Sequence, residues 1–366
     1  GGWINAIIPI LIVPYYSVIG GWVIKYLIEY FAGHSKTLAG DAYFTTFISN
    51  GWSTEICFII FTLFTLGIIY AGVRNGIERV SKFMMPILIV LSLIIAVYSV
   101  TRPGAIEGVK YFLVPNFDHF SWMTVVSAMG QMFYSLSIAM GILITFGSYM
   151  KKDTSIEKST ENVEIFDTAI AIMAGLMIIP AVFAFSCGNA ETLKSGPALM
   201  FITIPKVFAN MGFGTAIGVV FFLLVLFAAV TSSIALTESA VSTFEDELHW
   251  SRKKSTVFMG MVMLLLGTLS CLGYGPLANF KILGMQFLDF FDFITNSVMM
   301  PIAAIATCLL VSKVVGVDKI EEEIKKDGQA FRRKKIFCFM IKYLCPLFAA
   351  IILISSVANA FGIITM

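Results

Sequence analysis

Charge is what this sequence has least of. Asp, Glu, Lys and Arg together make up 13% of its 366 residues, roughly half the share of a soluble domain. So few charges could not cover the surface of a soluble chain this long. Only 3 histidines occur, far apart in sequence, which argues against a histidine-built metal site. The 6 cysteines are scattered without a C-x-x-C pair, most of them in apolar stretches, where cysteine behaves as a small hydrophobe. Cys187 and Cys271 could each sit near an outer helix end, where a disulfide is a minor alternative to free thiols. No Asn-x-Ser/Thr acceptor occurs, which favours a bacterial source. No basic leader precedes the first apolar run, and the chain opens in mid-pattern at Gly1-Gly2-Trp3, as a fragment would.

What the chain has instead is length of apolar run. Hydrophobic residues make up 58%, gathered near 5–32, 54–73, 80–100, 122–149, 162–186, 213–244, 255–274, 287–312 and 336–362. Runs of about 20 residues cross a bilayer as helices, because backbone groups in hydrocarbon must pair within the span. The runs are too continuous for the alternation of a barrel. The expectation is an all-α polytopic membrane protein of about nine transmembrane helices, a single transmembrane domain over 1–366. Segment 188–212 is too long for a hairpin and reads as a structured cap outside the membrane; 317–335 reads as a solvated charged loop. Alternate loops hold seventeen and six Lys or Arg residues. The excess marks the cytoplasmic side, so the chain start is expected in the cytoplasm and the chain end outside. That explanation of the basic residues leaves nucleic-acid binding without support.

Polar residues inside apolar spans carry the functional signal, since each is costly without a partner. Ala228, Thr231 and Ser232 stand at i, i+3 and i+4 and share a helix face. Their oxygens could hold a small hard cation; equally, the hydroxyls could bond back to their own helix. The run Gly130-Gln131-Met132-Phe133-Tyr134-Ser135-Leu136-Ser137, followed by Gly141 and Gly147, fits either a helix broken in mid-membrane or a continuous helix with a polar seam. Asp167, some two turns inside a helix expected to begin near Ser159, needs a cation or a hydrogen-bond donor. Glu238 reads as a carboxylate facing a wet cytoplasmic cavity, or as a proton carrier. Asp289 and Asp292 read as interfacial. Tyr15 and Tyr16 put hydroxyls in mid-span, where each wants a partner.

Together these segments resemble the neurotransmitter:sodium symporter family, in its bacterial LeuT-like amino-acid branch. The resemblance rests on Pro14-Tyr15-Tyr16 with Trp22, Asn75-Gly76-Ile77-Glu78-Arg79, Gly130 to Ser137, Ala228 to Ser233, and Phe244-Glu245-Asp246-Glu247-Leu248 followed by Ser251-Arg252-Lys253. It implies a fold of two inverted five-helix repeats. The chain would run from the family's third helix to its eleventh: 5–100 is the remainder of the first repeat, 122–312 the second, and 336–362 an additional helix. It further implies sodium-coupled amino-acid symport rather than enzymatic catalysis, in the inner (plasma) membrane of a bacterium.

Two sodium sites are implied. Ala228, Thr231 and Ser232 would serve one, Ser135 and Asp167 the other, and the acid at 167 would make chloride unnecessary. Tyr16 would bind the substrate carboxylate and Tyr134 close over it. Ser137, Met140, Ser232 and Leu236 would line a pocket suited to an apolar or aromatic side chain. Asp292 with Tyr134 would form an outer gate, Asp246 with Tyr149 an inner one. Partners are the amino acid and the lipid bilayer; oligomeric state leaves no mark in the sequence. The rival readings are a proton-coupled or uncoupled permease resting on Glu238, and a channel or sensor.

Overall fold

In hydrocarbon a long apolar run has no hydrogen-bond partner but itself, and here the runs are helical, one of them with a break. The computed structural model describes residues 1–187, 196–326 and 330–362. Among them, 8 helices are long and apolar enough to cross a membrane. In chain order, with two shorter ones, the helices are α1 (Gly2–Phe31), α2 (Gly51–Tyr70), α3 (Val73–Val100), α4 (Trp122–Ser135), α5 (Ile142–Ser148), α6 (Ile156–Ser186), α7 (Gly214–Leu248), α8 (Arg252–Leu272), α9 (Phe287–Val315) and α10 (Lys334–Ala360). The expected span 122–149 is thus interrupted, as α4 and α5, which decides between the two readings left open for it. α6 starts at Ile156, earlier than expected, because the Ser155 hydroxyl accepts the Lys158 N–H at 3.3 Å as an N-cap. Asp167 consequently lies about three turns inside the helix.

α1 is the hub. It packs on α7, α2 and α8, and 67% of its most apolar window is buried against protein, compared with 11% for α10 at the periphery. α3 packs on α6 and α7, α5 on α7, and α10 on α9 and α4. Close approach of α1 to α2 is made by glycine: a Cβ on Gly21 would lie 2.7 Å from the Phe58 backbone nitrogen. At the end of α1 opposite its N-terminus, Trp22 and Tyr26 meet Phe44, Phe201 and Phe222 ring to ring at 5.1–5.7 Å. The Tyr26 hydroxyl donates to the Phe201 carbonyl at 2.7 Å. This aromatic nest ties the helical segment Gly196–Ala209 to the core. The first part of the expected cap, 188–195, lies outside the described residues.

One expectation changes. The 317–335 segment is not all loop: Val317–Lys325 is a helix with Val317 and Ile324 buried, and Lys325 pairs with Glu321 one turn back at 2.6 Å. The Lys325 and Lys334 ammonium groups beside Glu321 hold its carboxyl below the usual range. Cys187 and Cys271 are both free thiols, the first exposed and the second buried.

The α1–α2 contact gives the first prediction. Gly21→Ala drives a methyl into backbone that cannot yield and should destabilise by about 1–3 kcal/mol. Gly67→Ala, with nothing within 4 Å of its Cβ, should be neutral or slightly stabilising. Thermal unfolding in detergent compares the two, and equal melting temperatures would contradict the packing.

Candidate transport site

The break between α4 and α5 sets up the site. Ser121 caps α4 through Thr124, and the helix runs to Ser135 before the chain leaves helical geometry. Ser137 (φ 54°), Ala139 (φ 61°) and Gly141 (φ 75°) are all left-handed. Two of these carry a Cβ, a conformation that costs roughly 1–2 kcal/mol per residue and persists only where surrounding packing enforces it. Gly141 shows that packing: a Cβ there would sit 2.7 Å from the Ser239 hydroxyl and 3.0 Å from the Asn5 carbonyl oxygen.

Beside the break, polar side chains from α1, α4, α7 and α9 converge. Tyr16, halfway along α1, lies beside Ser232, halfway along α7, where the two helices pack on each other. Tyr134 lies close enough to Tyr16 and Asp292 to interact electrostatically with both. Asp292 is held in turn: Tyr15 Oη donates to its Oδ1 at 3.2 Å and Asn296 Nδ2 at 2.6 Å. Thr295 Oγ1 stands 3.4 Å from the Tyr15 hydroxyl. Tyr16, Tyr134, Ser232 and Asp292, nominated from sequence, are therefore one cluster. Asp292 is the partner that the mid-span Tyr15 hydroxyl was expected to need; Thr295 and Asn296 as its support were missed, and the i, i+4 spacing of Asp292 and Asn296 was the available signal.

The ion-ligand candidates fall in two places. Ser135 Oγ donates to Asp167 Oδ1 at 2.5 Å, a contact that answers the need of Asp167 for a donor. The Thr231 hydroxyl donates to the Phe227 and Ala228 carbonyls, both at 3.0 Å, the back-bonding alternative. A hydroxyl that donates keeps its lone pairs, so Thr231 Oγ1, the Ala228 carbonyl and the exposed Ser232 hydroxyl still form a face of neutral, hard oxygens. Met140 and Leu236 are buried. Ser137 opens instead on an apolar cavity of 390 Å³ shared with Asn5, Phe133 and Thr307.

At the opposite end of the break, Asp246 lines a cavity of 340 Å³ with Thr145, Ser148 and Ser242. Glu238 corrects the sequence reading. It faces no wet cavity: its side chain is 0% exposed, and both oxygens are engaged. Arg252 donates to Oε1 at 3.0 Å and Oε2 at 2.6 Å, and Tyr149 Oη donates to Oε1 at 2.7 Å. Arg252 also reaches the Ile69 carbonyl at 3.0 Å. One guanidinium thus ties α8 to α7 and α2, and Tyr149, just after α5, joins through the Glu238 carboxylate.

Comparison with known proteins bears on this arrangement. The family model described as the sodium:neurotransmitter symporter family matches residues 48–363. The chain belongs to that family. An uncharacterized sodium-dependent transporter of Bacillus subtilis, YhdH, is 32% identical over the whole of this chain and 80% of its own length. An uncharacterized sodium-dependent transporter of Haemophilus influenzae is 30% identical over 94% of this chain and 76% of its own length. A crystal structure of MhsT in complex with L-phenylalanine superposes with a TM-score of 0.84 at 32% identity, covering 97% of this chain and 80% of that one. The fold is the LeuT-like fold that the sequence motifs suggested. Family membership makes the chain a multi-pass membrane protein of sodium-dependent transport.

The buried ion pair supplies the second prediction. Arg252→Gln leaves the Glu238 charge buried without its partner and should cost about 3–5 kcal/mol. Adding Glu238→Gln should restore most of that loss. Thermal unfolding of single and double variants is the check; a double variant no better than Arg252→Gln would contradict the pairing.

Proposed function

We propose that this protein carries an amino acid with an apolar or aromatic side chain into the cell, coupled to sodium, by alternating access. The observation that carries this reading is the meeting of Tyr16, Ser232 and Tyr134 beside a broken helix at the middle of the two central spans. Mid-membrane polar groups around an interrupted helix suit a site reached from either side in turn. The phenylalanine bound by MhsT supports the substrate class.

In this reading the Tyr16 hydroxyl donates to the substrate carboxylate and Tyr134 closes above it. Met140, Ser232 and Leu236 shape the side-chain end, Ser137 being turned to the neighbouring apolar cavity. Ala228, Thr231 and Ser232 hold one sodium, with Thr231 rotating its hydroxyl proton away from the helix carbonyls. Ser135 and Asp167 hold the other, the carboxylate supplying a fixed negative charge that makes chloride unnecessary. Asp292 and Tyr134 gate the outer side; Asp246 and Tyr149 gate the inner. The loop charges put the chain start in the cytoplasm and the chain end outside. Residues 5–100 and 122–312 belong to two inverted repeats, with 336–362 an addition. Sodium drives uptake only through differential affinity for the two conformations, and substrate and ion raise each other's affinity by the same factor. Proton coupling through Glu238 loses its footing, because both carboxylate oxygens are committed to Arg252 and Tyr149.

Binding of labelled L-phenylalanine to the full-length protein tests the assignments. Ser232→Ala should remove the sodium dependence of binding, and Tyr16→Phe should weaken affinity about tenfold or more, the value of one hydrogen bond to a charged group. Replacing chloride with gluconate should change nothing. Sodium dependence that survives Ser232→Ala would refute the assignment of that site.

A further inference from the structure

Away from the polar cluster, the surface where α1, α2, α3 and α7 meet is indented by a furrow of 560 Å³. Its floor is Phe61, Met84 and Val230, exposed by 0%, 5% and 2%; its rim is Ile60, Phe64 and Phe83, exposed by 48–67%. None of Tyr16, Tyr134, Ser232 or Asp292 lines it. Among the lining residues Arg79 alone is polar. It stands at the foot of the apolar run of α3, is exposed, and makes no ion pair among the described residues. Its acidic neighbour Glu78 is committed to Lys82 at 2.6 Å.

The furrow therefore has two chemically distinct ends. At the end of the span sits a permanent cation with a rigid fork of donors. From there an apolar trough leads past Phe83 and Met84 toward Val230 in the body of α7. A guanidinium fork matches a phosphate bidentately, and an acyl chain laid on an aromatic floor gains packing that fluid lipid does not provide. A zwitterionic lipid brings its own ammonium beside the phosphate, which competes with Arg79; an anionic lipid does not. We infer that this furrow is a site for one anionic phospholipid, its phosphate on Arg79 and an acyl chain over Phe61 and Met84. The attraction has the sign and place of the known pull of basic residues at a membrane boundary on anionic lipid, but here a shaped trough fixes the position.

The test is native mass spectrometry of the full-length protein released from nanodiscs made of equal parts phosphatidylglycerol and phosphatidylcholine. The wild type should retain phosphatidylglycerol in preference. Arg79→Gln, at an exposed position, should cut that retention about tenfold, the loss of one charge-assisted contact. Met84→Trp, which fills the floor and keeps Arg79, should cut it as well; if that variant does not fold, Phe83→Ser at the exposed rim takes its place. Equal retention of the two lipids, or unchanged retention in Arg79→Gln, would overturn the proposal. So would displacement of the lipid by an equal concentration of glycerol phosphate, which would reduce the site to a headgroup contact.

Discussion

Hydrocarbon offers no hydrogen bond, and that constraint sorts the polar groups of this chain into two kinds. One kind is settled by packing. Ser92 donates to Leu88 one turn back, Ser99 to Met177 on the facing helix, and Thr65 shares a hydrogen bond with Ser233 between α2 and α7. Glu238 is the extreme case, a carboxylate with no exposure, answered by a guanidinium and a phenol. The other kind is gathered near the stretch where helix geometry fails, residues 136–141, and includes contacts between helices, such as Tyr15 with Asp292 and Ser135 with Asp167. In the proposed function the second kind carries transport, and the first holds the helices that present it.

The break has polar clusters on both sides. Tyr134 ends α4 near Tyr16 and Asp292, while Tyr149 follows α5 and bonds Glu238. Both clusters are therefore anchored to the same interrupted segment, six residues apart from end to start of its two helices. A shift of α5 against α7 would have to break the Tyr149–Glu238 bond and move Gly141 off Ser239. α1 and α7, buried from several sides, are the frame against which such a shift would occur.

Most of the fold was legible in the sequence because membrane spans are a matter of run length. The break was legible only as an alternative. Glycines and serines in 130–141 permit it, but Ala139 in the left-handed region carries no such signal, since the conformation is imposed by neighbours. The Ala228, Thr231, Ser232 face was readable from spacing on one helix. The Ser135–Asp167 contact spans 32 residues and two helices, and was visible only as a carboxylate in need of a donor. The Glu238–Arg252 pair was hidden for a different reason: Arg252 heads Arg-Lys-Lys, and read as one more cytoplasmic cation in a loop. In 317–335 the i, i+4 spacing of Glu321 and Lys325 signalled helix, but the density of charge outweighed it.

The central claim is that an inward sodium gradient drives concentration of an amino acid through this protein. Full-length protein in proteoliposomes, given labelled L-phenylalanine and a panel of other amino acids, measures it directly. With sodium outside and potassium inside, the account predicts accumulation above the external concentration, lost when choline replaces sodium and unaffected by an imposed proton gradient. Accumulation that follows the proton gradient and ignores sodium would contradict it.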